Sequence, residues 1–355
     1  MSLVTIKRVG IVVLVIWLIT LFYLWLPNIV DSKKWPFLGK KGLNSINMNS
    51  KANSTNMMHV VITSDKHTLG GMIATMNSIY SNTRHDVMFH LVVDDESFDH
   101  IIIWLKKTKL NMLNYEVKRF PVEWVQDKIH LRSGRPELGR PLNYARYYLP
   151  RLFPDLKGRI LFIDDDCIVQ GDISDLYTMK INSGDLAAFS NDCSATSKRL
   201  SRLKNNYAEY IDFKNKHIQQ MHMHPATCSF NTGLMLTDLD LWKKNNITEQ
   251  LEYWLQLNKK EEVYGNEKGG GGSQPPMMIV FYKNYTAIDP SWHVRYLGWT
   301  SGTSYSKAFV SHAKLLHWNG HFKPWGRLSQ HSDIWDRYFV KDPTLKFKPL
   351  RRFST

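Results

Sequence analysis

The chain has 355 residues, 43% of them hydrophobic, enough to bury one large core or two small ones. Its formal net charge is +14, from 46 Lys and Arg against 32 Asp and Glu. These cations are scattered among acids and aromatics. They read as a solvated surface that can attract anionic substrates, and the lack of a basic stripe or nucleic-acid fold pattern argues against nucleic acid as a partner.

In chain order, Val9 to Leu26 is an uncharged run of 18 residues behind Lys7 and Arg8. It is just long enough to span a bilayer, and no small-x-small cleavage site follows it. The expectation is a cytoplasmic tail over 1–8, an uncleaved transmembrane signal anchor over 9–30, a luminal stem over 31–57 and a globular domain over 58–350. Lys33, Lys34, Lys40 and Lys41 on the far side blunt the positive-inside asymmetry. The stem is rich in Lys, Asn, Ser and Gly with no sustained apolar period. With the globular part luminal, Asn53, Asn246 and Asn284 each head an N-glycosylation tripeptide.

The globular part opens with the apolar run His59 to Ile62, read as a strand that stops at Thr63-Ser64-Asp65. Met72, Ile73, Met76, Ile79 and Tyr80 then fall at helical spacing. Val87 to Val93 reads as a strand, Phe98 to Leu110 as a helix, Tyr115 to Phe120 as a strand and Asn143 to Phe153 as a helix. Arg159 to Ile163 is the next strand, and it runs into Asp164-Asp165-Asp166-Cys167. Strands alternating with helices predict a mostly parallel sheet covered on both faces, with ligands gathering at the carboxyl ends of its strands. Asp65 and the Asp164 to Asp166 cluster both sit at such ends.

Three adjacent carboxylates repel one another unless a positive charge sits between them. Strand alternation lets Asp164 and Asp166 point one way while Asp165 points away, and an oxygen set of this kind suits Mg²⁺ or Mn²⁺. A charged turn at a strand end reads the same way in isolation. No Gly-x-Gly-x-x-Gly opens the first helix and no phosphate-loop Gly-Lys-Ser/Thr occurs, which removes the main support for the common dinucleotide and NTP readings.

Farther on, Gly171 to Leu176 reads as a turn with a helix cap, Leu186 to Phe189 and Phe230 to Leu236 as strands, and Ile247 to Leu257 as a helix. Pro275-Pro276 precedes an apolar run, and neither proline fits a helix interior. Gly269 to Gly272 reads as a mobile surface loop able to act as a lid. His222 and His224 read as surface residues. Cys167 reads as a buried apolar residue, while Cys193 and Cys228, both at predicted strand ends, are able to pair in an oxidising lumen. Trp318 and Trp325 offer either flat faces for an acceptor sugar or core packing.

The chain closes with His317-Trp318-Asn319-Gly320-His321-Phe322-Lys323. This His-x-x-Gly-x-x-Lys, together with Phe-Ile-Asp-Asp-Asp, resembles glycosyltransferase family 8, the retaining nucleotide-sugar transferases. Within it the chain is similar to the animal glycosyltransferase 8 domain-containing proteins over most of 58–350. The resemblance implies a GT-A type, Rossmann-like α/β fold for nucleotide-diphospho-sugar transfer. It implies Mn²⁺ (or Mg²⁺) on Asp164, Asp166 and His317, with a UDP-sugar donor held by Thr63, Ser64, Asp65, His67, Arg146, Asp165, Asn231, Gly233, Gly320 and Lys323. Arg146 and Lys323 then serve as charge stabilisers. The acceptor is a glycan or glycoprotein, and the setting a single-pass type II protein of the Golgi or ER membrane. Many members carry Asp-Gln where this chain has Ser273-Gln274, so no nucleophile is named. A catalytically silent relative that binds nucleotide-sugar or glycan as a partner of other transferases is the alternative.

Overall fold

Strand runs as apolar as these have no polar face to show to water, and the computed structural model buries them on both sides. It describes residues 45–48, 57–131, 136–193, 205–265, 272–299 and 305–351. The run 9–26, the tail before it, most of the expected stem, Asn53 and positions 269–271 lie outside the described residues. Among the described residues, no helix is long and apolar enough to cross a membrane.

The strands are β1 (Ser45–Met48), β2 (Met58–Ser64), β3 (Val87–Val93), β4 (Asn114–Arg119), β5 (Arg159–Asp164), β6 (Cys167–Val169), β7 (Ala187–Asn191), β8 (Phe230–Asp238), β9 (Tyr285–Ala287) and β10 (Leu315–His317). Among the described residues the four longest α-helices are α1 (Leu69–Asn82), α2 (Asp95–Lys106), α3 (Ile247–Lys260) and α4 (Gln274–Val280). Eight strands form one sheet in the order β1-β4-β3-β2-β5-β8-β7-β9, and β6 and β10 form a separate two-stranded ribbon. The run from β4 to β5 is parallel, β8 lies antiparallel between β5 and β7, β9 is parallel to β7, and β1 is antiparallel to β4.

Alternate residues of the central strands enter opposite cores. Val61, Ile160 and Phe162 join the core that includes Leu251 of α3 and Met277 of α4. Val60, Ile62, Leu161 and Ile163 join the one built with Met72 of α1 and Ile101 of α2. This layering aims the carboxyl ends of β2 and β5 at one rim, where their side chains escape the cores.

Two local readings change and a third holds. Residues 45–48, expected as stem, form an edge strand on β4, and Ser45 to Thr355 is one compact unit. The helix expected over 143–153 is instead a 3-10 stretch, Pro141–Tyr148, followed by one α turn, Leu149–Leu152. Pro150 brings no backbone N–H to an α-helix that would continue through it, and Tyr144, Tyr147 and Tyr148 are buried in the tighter winding. Pro275 and Pro276 do start a helix, because they occupy the first turn of α4, where N–H groups have no intrahelical partner.

On one face of the sheet His59 Nδ1 lies 2.9 Å from His90 Nε2, and His90 Nδ1 lies 2.5 Å from Glu116 Oε1. Burial, then the adjacent His90, lower the His59 pKa from 6.5 to about 4, against a smaller opposing pull from Glu116. The unfolded chain therefore binds a proton between these two values that the folded chain refuses, so His59 makes stability fall as pH drops from about 6.5 to about 4. His59→Gln is expected to flatten that part of the pH profile. Urea unfolding at several pH values across the window, in both proteins, checks it, and an unchanged slope refutes it.

Candidate active site

β5 ends at Asp164, the chain turns through Asp165 and Asp166, and β6 begins at Cys167. β10 pairs antiparallel with β6 and sets His317 opposite Cys167, and Trp318 N donates to Asp166 O at 3.0 Å. The ribbon thereby brings an imidazole from near the end of the chain onto the carboxylates. His317 Nε2 lies 2.8 Å from Asp166 Oδ1 and 3.8 Å from Asp164 Oδ2.

Each acid has a different neighbour. Arg146, buried at 4% exposure, donates from Nη2 to Asp164 Oδ1 at 2.8 Å, from Nη1 to Thr232 O at 2.5 Å and from Nε to Asn143 O at 3.1 Å. Lys323 Nζ donates to Asp166 Oδ2 at 2.5 Å and to Trp318 O at 2.9 Å. Burial opposes ionisation of Asp166, but the charge of Lys323 outweighs it and holds this carboxyl well below the usual range. Asp165 turns toward the end of β2. There burial, then the charge of Asp166, push it well above the usual range, against hydrogen bonds from Ser64 and Thr68. Neighbouring acids driven in opposite directions mark a site built for more than a turn.

One atom is left over. Asp166 Oδ1 is buried with no hydrogen-bond partner, although His317 Nε2 is 2.8 Å away. An unpaired carboxylate oxygen facing a ring nitrogen, with a second carboxylate beside both, fits a hard divalent cation. Asp166, Cys167 and His317 place their ligand atoms within 4.8 Å of one another. Cys167, however, is fully buried, and burial followed by the adjacent Asp charges pushes its thiol well above its usual pKa. Asp164, Asp166 and His317 line the adjoining cavity and Cys167 does not, so the oxygen-rich set is the better donor group.

Gly233 makes this approach possible. A Cβ there would lie 2.4 Å from His317 Cε1 and 2.5 Å from Asp164 Oδ2, and Asn231 Oδ1 accepts from the Gly233 N–H at 2.9 Å.

The cavity, about 720 Å³, gathers Thr63, Ser64, Asp65, His67, Arg146, Asp164, Asp165, Asp166, Asn231, Gly233, His317 and Lys323, thirteen expected site residues less one. Asp65 is fixed by Arg140 Nη1 at 2.7 Å and accepts from the His67 N–H at 2.8 Å. Gly320 is the exception. It does not line the cavity, and a Cβ on it would meet the Gly298 carbonyl carbon at 2.1 Å, so its smallness serves backbone packing rather than ligand contact. Arg146 lines the cavity with its donors directed at Asp164 and two carbonyls.

Glu137, Arg140, Glu209, Tyr210, Trp299 and His321 also line the cavity without having been singled out, since they reach it from loops and short 3-10 turns that carry no periodic pattern. His293 was missed as well: its Nε2 is 2.8 Å from His317 Nδ1. Trp318 is core, whereas Trp325 lines the cavity. His222 and His224 are exposed. Cys193 and Cys228 form a disulfide joining the ends of β7 and β8, with Cα atoms 5.6 Å apart. Beside it Asp192 is ion-paired with buried Arg295 and accepts from the Ser229 hydroxyl. Asn246 and Asn284 are exposed.

Comparison finds the same fold in solved glycosyltransferases. The bifunctional glycosyltransferase WbbM superposes with a TM-score of 0.59 at 17% identity, over 82% of this chain and 51% of that one, about half its length. The galactosyltransferase LgtC, solved with donor and acceptor sugar analogs, gives 0.57 at 14% identity, over 79% of this chain and 95% of that one. At such identities the likeness is one of fold, a GT-A-like α/β fold with a mostly parallel central sheet.

The family model for glycosyl transferase family 8 matches residues 59–329, and the chain belongs to that family. It is 44% identical over 298 residues to glycosyltransferase 8 domain-containing protein 1 of Danio rerio, covering 82% of this chain and 80% of that one. The Homo sapiens protein of the same name is 42% identical over 299 residues, covering 83% and 80%. Glycosyltransferase 8 domain-containing protein 2 of Bos taurus is 42% identical over 293 residues, covering 81% and 83%.

Proposed function

We propose that this protein is a metal-dependent, retaining glycosyltransferase that moves a hexose or related sugar from a UDP-sugar to a glycan or glycoprotein acceptor. The observation that carries the reading is the convergence of Asp164 and Asp166 on His317 Nε2, with Asp166 Oδ1 left unpaired. We further propose that residues 9–26 anchor it in the Golgi or ER membrane with the catalytic domain in the lumen, a placement that the Cys193–Cys228 disulfide suits.

Mn²⁺ or Mg²⁺ on Asp164, Asp166 and His317 would supply Lewis-acid neutralisation of the charge that builds on a departing diphosphate. The protein's own share is positional. Arg146 holds Asp164 in place by a charged hydrogen bond, and Lys323 keeps Asp166 ionised while adding positive charge at the same spot. Ser64, Asp65 and Asp165 form the polar end of the cavity suited to a nucleoside. Trp299, 44% exposed at the cavity wall, offers a flat face to an acceptor sugar. A front-face displacement, in which the leaving phosphate takes the acceptor proton, needs no enzymic nucleophile and agrees with Gln274 at the head of α4.

The test is hydrolysis and binding of a panel of UDP-sugars by the purified chain with and without Mn²⁺. Turnover of one donor that stops when the metal is chelated is the expected result. Donor binding with no turnover across a broad acceptor library would shift the assignment to a silent partner of other transferases. No donor binding at all would remove both readings.

A further inference from the structure

Resting on the metal reading above, we propose that His293 is a positioning residue: it accepts the hydrogen of His317 Nδ1 and so keeps His317 Nε2 open toward Asp164 and Asp166. A neutral imidazole carries one hydrogen, and the nitrogen without it is the one that can ligate a cation. The direction of the hydrogen bond between the two rings therefore decides whether His317 is a ligand.

The pair is fixed by backbone as well as by side chains. His317 N donates to Val294 O at 2.9 Å and Val294 N donates to Leu315 O at 2.9 Å, so the segment carrying His293 is held in register against β10. Both rings are 2% exposed, their planes lie within 7° of parallel, and His293 Nε2 is 2.8 Å from His317 Nδ1. One hydrogen sits between those nitrogens. Were it on His293, His317 would have to carry its own on Nε2, facing the carboxylates. The 2.8 Å contact there lacks hydrogen-bond geometry, and Asp166 Oδ1 has no donor. The remaining arrangement puts the hydrogen on His317 Nδ1 and makes His293 the acceptor. His293 must then carry its hydrogen on Nδ1, an atom that is buried with no partner. That atom is without a partner in either arrangement, as a donor here and as an acceptor in the reverse, so the choice rests on the carboxylate side of His317.

The test uses the full chain in detergent with ¹⁵N-labelled histidine, observed metal-free at pH 8 by two-bond ¹⁵N–¹H correlation. The expected result is a hydrogen on His317 Nδ1 in the wild type and on Nε2, at least in part, in His293→Phe. Mn²⁺ affinity, followed by electron paramagnetic resonance, is expected to fall about 10- to 100-fold in His293→Phe. It should stay close to wild type in His293→Gln, whose amide oxygen restores an acceptor. A wild-type His317 with its hydrogen on Nε2 overturns the proposal, as does a folded His293→Phe that binds Mn²⁺ like the wild type. If His293→Phe does not fold, the wild-type tautomer and His293→Gln still decide. A wild type that shows the Nδ1 hydrogen but binds no Mn²⁺ supports this assignment and defeats the metal reading instead.

Discussion

Asp166→Ala is expected to lower Mn²⁺-dependent turnover by about 10³-fold or more, because a bound metal contributes several kcal/mol of charge stabilisation and each ~1.4 kcal/mol is a tenfold change in rate. Asp166 is the member of the cluster that touches both the imidazole, at 2.8 Å, and Lys323, at 2.5 Å. Its loss removes a ligand and strands the lysine. Asp166→Asn keeps the shape and removes the charge, so a matching loss in that variant assigns the effect to charge rather than to packing. Melting temperatures of all three proteins separate misfolding from lost chemistry. Full Mn²⁺-dependent turnover in a folded Asp166→Ala would end the assignment of this site.

The second large effect comes from a single methyl group. Gly233→Ala places a Cβ within 2.4 Å of His317 Cε1 and 2.5 Å of Asp164 Oδ2, closer than side-chain atoms approach in folded proteins. Both neighbours are held from behind, Asp164 by Arg146 and His317 by His293, so neither can swing aside cheaply. The expected cost is about 1–3 kcal/mol of stability, the usual range for overpacking. Mn²⁺ affinity should fall about tenfold or more, since splayed ligands lose the geometry a small cation requires. Calorimetric titration with Mn²⁺ and chemical denaturation of the same variant measure the two. Wild-type affinity in Gly233→Ala would show that Asp164 and His317 do not act together.

Much of this was legible in the residues themselves. The β2, β3, β5 and β8 runs are too apolar for anything but a doubly covered sheet, and Asp164 to Asp166 announce a charged strand end because no cation interrupts them. His317 was found through the spacing to Lys323. His293 was not, because a lone histidine between Trp292 and Val294 carries no signal until β10 folds beside it. Arg146 is legible as a site residue, but nothing local reveals that Thr232, 86 residues away, and Asp164 take its donors. The 143–153 segment failed for another reason. Its apolar spacing suits a helix, while Pro150 and three buried tyrosines impose a tighter winding that periodicity does not encode.

The β6–β10 ribbon has a consequence for biogenesis. Asp166 and Lys323 are 157 residues apart in the chain, and their meeting depends on a three-residue strand laid down after every strand of the large sheet has been synthesised. Contacts of such long range close late in folding. A nascent chain can therefore pair every strand of its large sheet while the core that takes Leu315 is unfinished and the proposed metal site is unmade, so that nucleotide-sugar binding would report a finished molecule rather than a folded sheet.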